Sequence, residues 1–131
     1  MALMMTPLIA TLLVLLITAQ PKTLQLGEWG GLHARLMVSN TAATLEFDCA
    51  RGSIAGKIPL NDKGEFEVKG RYSPERGGPV RKGEAQTTVP VTYRGTLRDG
   101  SLTLETVGAG GIVIGTFVLT HGTHGRLIKC R

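Results

Sequence analysis

Beyond Ala19 no stretch of this chain places apolar residues at helical spacing. Short runs alternate apolar and polar residues instead, separated by turns rich in Gly, Asn and Asp, which predicts strands throughout. A first pair of runs, Leu32 to Val38 and Leu45 to Cys49, flanks Ser39-Asn40-Thr41-Ala42. In a hairpin with an even loop, Leu32, Ala34, Leu36 and Val38 meet Leu45, Phe47 and Cys49 on one face. The other face then sets His33 and Arg35 near Glu46 and Asp48, so the apolar and charge patterns agree on one register.

Further runs follow the same rule. Phe66, Val68, Gly70 and Tyr72 form the apolar face of a strand that begins after Asn61-Asp62-Lys63-Gly64. Ile54 to Leu60 contains Ile58-Pro59 and belongs at an edge if it is a strand. Val89, Val91, Tyr93, Gly95 and Leu97 lead through Arg98-Asp99-Gly100-Ser101, an Asp-Gly hairpin turn, into Leu102, Leu104 and Thr106. Ile112 to Thr120 and Arg126 to Cys130 complete the pattern. In the continued register Leu104 faces Gly95 on one side and Gly115 on the other, glycines that permit barrel bends or make room for Tyr93 and Phe117. Consecutive hairpins without a helix-length crossover predict an up-and-down meander of seven or eight strands closing into a small barrel, with a β-sandwich as the alternative.

The first 19 of the 131 residues carry no charged side chain and hold an apolar run from Leu8 to Ile17, ending at Ala19. This reads as a signal peptide spanning 1–19, since the run is shorter than the roughly 20 residues of a membrane helix. Its removal, the alternative being retention as a signal anchor, leaves no transmembrane helix and a single β domain over 20–131. That domain is expected to be secreted or periplasmic, and Cys49 and Cys130 are expected to pair there. The staple would close a loop of 81 residues and contribute about 4 kcal/mol in the chain-entropy model.

Gly27-Glu28-Trp29 before the first run and Arg126 on the last resemble the Gly-x-Trp and late Arg of lipocalins, in which the Trp closes one barrel end beneath the Arg. A bulge at Gly30-Gly31 would be needed to turn Trp29 inward. Trp29-Gly30-Gly31-x-His33, Leu45-Glu46-Phe47-Asp48-Cys49-Ala50-x-Gly52 and Gly77-Gly78-Pro79 look like a group of uncharacterised small exported bacterial barrels. The resemblance implies a distantly lipocalin-like barrel and no particular activity.

No catalytic motif such as Gly-x-Ser-x-Gly or His-Glu-x-x-His is present, so the chain reads as non-enzymatic, with no cofactor and no catalytic residue. The formal charge of +5 favours an anionic partner. With one Trp, two Tyr and three Phe as stacking platforms, nucleic acid is a poor one. A small ligand in the barrel mouth or an anionic envelope component is the first expectation, with Trp29, His33 and the loop cations Arg76, Arg81 and Lys82 as candidate contacts. His33 beside Asp48, with Arg35 and Glu46 adjacent, is a polar cluster able to hold an imidazole or simply a solvated set of cross-strand pairs. A second expectation is an interaction or inhibitor module acting through its loops or the outward stripe of Ile112, Ile114 and Val118. That stripe is to be covered by the loop from Ser73 to Gln86, by Lys22 to Leu26, or by a second copy in a homodimer. A third is a metal-binding protein or metal-dependent enzyme using His121 and His124, which share one turn.

Overall fold

A computed structural model describes residues 22–75 and 87–130. The expected signal peptide and the cations Arg76, Arg81 and Lys82 lie outside the described residues. Ten strands are present among the described residues: β1 Lys22–Thr23, β2 Gly27–Gly31, β3 Ala34–Val38, β4 Ala42–Phe47, β5 Ala50–Ala55, β6 Pro59–Leu60, β7 Glu65–Pro74, β8 Val89–Arg98, β9 Ser101–Val107 and β10 Val113–His121. Eight of them form a closed antiparallel barrel in the order β10-β2-β3-β4-β5-β7-β8-β9. Each barrel strand therefore pairs with the next barrel strand along the chain. β1 and β6 stand apart as a two-stranded pair, in keeping with a proline-containing segment that cannot enter a central position.

The expected hairpin registers are present. Ala34 pairs with Phe47, Leu36 with Leu45 and Arg35 with Glu46. Arg98 and Ser101 flank a tight turn in which both Asp99 and Gly100 have positive φ, at 51° and 78°, as a type I′ hairpin requires. The Asn61 carboxamide accepts the backbone N–H groups of Lys63 and Glu65, holding the turn into β7.

Five expectations need correction. Leu32 and His33 are not strand residues but the two-residue turn between β2 and β3, with His33 at φ 69°. Asp48 and Cys49 likewise form the turn between β4 and β5. Trp29 does face inward, opposite Leu36, yet no bulge at Gly30-Gly31 is required, because the turn at 32–33 resets the alternation. The segment Arg126 to Cys130 is not a closing strand: it makes one parallel bridge, Leu32 to Arg126, and runs as a strap. Gly115 lies opposite Thr106 rather than Leu104, displaced by a register shift between Val113 and Gly115. The glycines serve the rings, since Gly95 accommodates Phe66 and Gly115 accommodates Phe117, where a Cβ would strike each ring.

Leu36, Leu102, Leu104, Leu119 and Tyr93 are fully buried in the interior. The Tyr93 ring lies across Gly70 and reaches Gly52, and its hydroxyl donates to the Arg71 carbonyl at 2.6 Å. One barrel end, where the chain passes from β1 to β2, is plugged. There Leu24 and Ile58 join the core and are linked by Leu24 N–H to the Ile58 carbonyl, while Trp29 donates its indole N–H to the Gln25 carbonyl. Lys22 to Leu26 thus covers a barrel end, not the outward stripe formed by Ile112 and by Ile114 and Val118 of β10, which is exposed.

Candidate functional site

The opposite end carries the turns at 32–33 and 48–49, the last residues of β7 and β9, and the start of β8 and β10. Its interior is closed by rings. Phe47 packs against Phe117 with centroids 4.9 Å apart and against Tyr72 at 5.9 Å, both in tilted geometry. Phe47 is buried, whereas Tyr72 and Phe117 are half-buried and form the mouth-facing part of the cluster. Burial pushes the Tyr72 phenol above its ordinary range. Tyr93 is pushed further, first by burial and then by the nearby Tyr72.

Thr106 sits on the same interior face, between Tyr93 of β8 and Gly115 of β10 in the strand register. It is 1% exposed, and its hydroxyl has no hydrogen-bond partner among the described residues. A buried hydroxyl left unsatisfied costs about 1–3 kcal/mol, so this atom needs an explanation. Its signal in the sequence is legible in retrospect, because Thr106 is the polar member of the otherwise apolar face Leu102, Leu104, Thr106.

The expected site residues go to separate places. Trp29 is a core residue of the plugged end, 2% exposed, with the His121 imidazole edge-on against it at 5.0 Å. The Trp-beneath-Arg arrangement of lipocalins is not reproduced: Arg126 is exposed, and its backbone bonds to Gly31 and His33. His121 directs Nε2 at the Leu26 carbonyl, at 2.8 Å. His124 instead places Nδ1 2.9 Å from the Glu28 carboxylate, so the two histidines turn to different partners. Among the described residues no group of three His, Cys, Asp or Glu is placed to hold a metal ion.

His33 and Asp48 do come together, at 2.5 Å between Nδ1 and Oδ2, and Arg35 meets Glu46 at the same distance. Glu28 extends this outer-face network, lying 3.9 Å from Arg35 and accepting the Gly125 N–H. Glu28 as the hub was not apparent from the sequence, because it depends on the C-terminal strap folding back over β2. The network organises the strap rather than a cleft. Ile128 N–H donates to Asp48, Cys130 N–H to the Asp48 carbonyl, and the Lys129 ammonium to the Phe47 carbonyl. Cys49 and Cys130 form the expected disulfide, with Cα atoms 5.2 Å apart.

A groove of about 580 Å³ lies on the outside of the barrel, lined by Leu60, Glu65, Glu67, Arg94, Thr96 and Glu105 among others. Arg94 is already paired with Glu105 there.

The fold is that of an eight-stranded up-and-down antiparallel barrel, compatible with a lipocalin-like architecture. The chain matches no protein-family model, no curated protein and no solved structure.

Proposed function

We propose that this protein is a non-enzymatic, exported binding barrel whose ligand seat is the aromatic end, behind Phe117 and Tyr72. The ligand is small and mainly apolar, with one oxygen or nitrogen that meets the Thr106 hydroxyl. The observation that carries the reading is that hydroxyl, buried and without a partner among the described residues on an interior otherwise lined by apolar groups. Ligand sites commonly combine an apolar lining with one or two convergent polar groups. The half-buried Phe117 ring rests over Gly115, next to Thr106 in the strand register, and in this reading it turns aside to admit the ligand. The Cys49–Cys130 disulfide supports an oxidising compartment for this activity. The alternative of an anionic envelope component is supported by the net charge of +5 alone, since its loop cations lie outside the described residues.

The test compares 1-naphthol with naphthalene, which differ by one hydroxyl, by fluorescence titration against the wild type and Thr106→Val. The wild type is expected to favour 1-naphthol by about tenfold, the worth of one buried hydrogen bond, and Thr106→Val to lose that preference. Absence of binding to either compound, or an unchanged preference in the variant, overturns the reading.

A further inference from the structure

The barrel closes on a short seam. β2 pairs with β10 only at Thr120 with Gly30 and His121 with Trp29. β9 pairs with β10 from Val113 to Thr120. From Val113 to Phe117, therefore, the edge of β10 that faces away from β9 makes no strand pairing among the described residues. The side chains beside this edge are apolar and open to solvent: Ile112 is 69% exposed, Val113 47%, Ile114 45% and Val118 59%, with Leu32 of the adjoining turn at 61%.

Natural sheets guard free edges with charge, proline or cover. Here the chain from Gly108 to Thr120 has no charged residue and no proline. The backbone groups of the edge call for another strand, and the aliphatic side chains beside it call for burial.

We infer that this edge is the interface of a homodimer, in which β10 pairs antiparallel with β10 of a second copy. A strand that pairs antiparallel with itself is related to its partner by a twofold axis, so one surface satisfies both partners and the assembly closes at two. Charge favours the same place. Each copy carries +5, and the uncharged stripe is where two like-charged domains approach without setting cation against cation. Ile112, Ile114 and Val118 of each copy then cover those of the other. This interface uses the outer edge of the strand whose Gly115 and Phe117 border the Thr106 seat, but its test does not depend on ligand binding.

The experiment is sedimentation velocity on the protein expressed from its full coding sequence and purified as the host processes it, at loading concentrations up to about 100 µM. Ile114→Lys and Val118→Lys, two exposed positions whose variants are checked for an unchanged thermal melt, are run beside it. A dimer that both variants shift at least tenfold toward monomer is the expected result. Amide exchange in β10 should slow with protein concentration in the wild type alone. A wild type that remains monomeric overturns the inference, and so does a dimer that survives both substitutions. A monomer that co-sediments with phosphatidylglycerol vesicles would overturn it in favour of a lipid surface.

Discussion

The His33 imidazole lies 2.5 Å from the Asp48 carboxylate and thereby joins two neighbouring hairpin turns, one between β2 and β3 and one between β4 and β5. Asp48 is the more important partner, because its other oxygen accepts the Ile128 N–H and fastens the strap. With side chains 44% and 25% exposed, the pair itself is worth under about 1 kcal/mol. His33 also occupies a left-handed conformation, at φ 69°, which glycine adopts without cost. His33→Gly is therefore expected to change unfolding free energy by less than about 1 kcal/mol, the lost pair offsetting the relieved backbone. Asp48→Ala should cost about 1–2 kcal/mol and release the strap, seen as faster amide exchange at Ile128 and Cys130. Urea denaturation of the two variants side by side checks both.

Gly30 lies directly beneath the strap. A methyl group there would overlap the Thr123 carbonyl and the Gly125 amide, which are backbone atoms and cannot rotate away. Gly30→Ala is expected to destabilise by about 2–3 kcal/mol, as overpacking does. Thermal melting measures the loss, and Gly56→Ala, with open space at the Cβ position but φ at 82°, reports the backbone strain of replacing a glycine without overlap.

Reduction of Cys49–Cys130, or replacement of both cysteines by serine, should lower stability by about 4 kcal/mol through the 81-residue loop it closes. The midpoint of urea unfolding with and without dithiothreitol reports this.

Tyr93 makes stability depend on alkaline pH. Burial raises its phenol above the value of 10.0 that it has when unfolded, so the stabilisation is complete below that pH. It is lost as the pH rises above 10.0 toward the folded-state value, because the unfolded chain releases the proton first. Tyr93→Phe should flatten most of this alkaline loss, the smaller share from Tyr72 remaining. At neutral pH it should cost about 1 kcal/mol for the bond to the Arg71 carbonyl. Melting temperatures from pH 7 to 11, read as a difference between the two proteins, test the sign.

Thr106→Val replaces an unpartnered buried hydroxyl by a methyl group of similar size. The free protein is expected to gain about 1 kcal/mol of stability while its affinity for a hydroxylated ligand falls. A variant that is no more stable than the wild type would mean the hydroxyl is already satisfied by water.

Much of this architecture is legible from the alternation of residue types. Ala34, Leu36 and Val38 against Phe47, Leu45 and Ala43, and the Asp99-Gly100 turn, follow from period-two patterning and local turn chemistry, both of which are short-range. What is not legible depends on contacts between distant segments. The phase of Trp29 turns on whether Gly30-Gly31 bulges or His33 adopts positive φ, two solutions that the alternation alone does not separate. Arg126 to Cys130 has strand-like composition, but its partners are turns, so it folds as a strap. The candidate site divides in the same way. His33 with Asp48 is visible because the two residues belong to one predicted hairpin. The neighbours of Thr106 depend on the register shift at Val113 to Gly115, which no local signal announces. His121 and His124 illustrate the limit: three positions apart, they point at the Leu26 carbonyl and the Glu28 carboxylate, set by residues near the other end of the chain.

The seam between β2 and β10 also dictates an order of assembly. His121 reaches back 95 residues to the Leu26 carbonyl, so the first barrel strand waits for nearly the whole chain before it has both of its neighbours. Trp29, the single tryptophan, is covered by that same contact. Its emission therefore timestamps the last closure rather than the early hairpins. In a refolding trace, indole burial should trail the appearance of β-structure, by the time the chain takes to bring its two ends together.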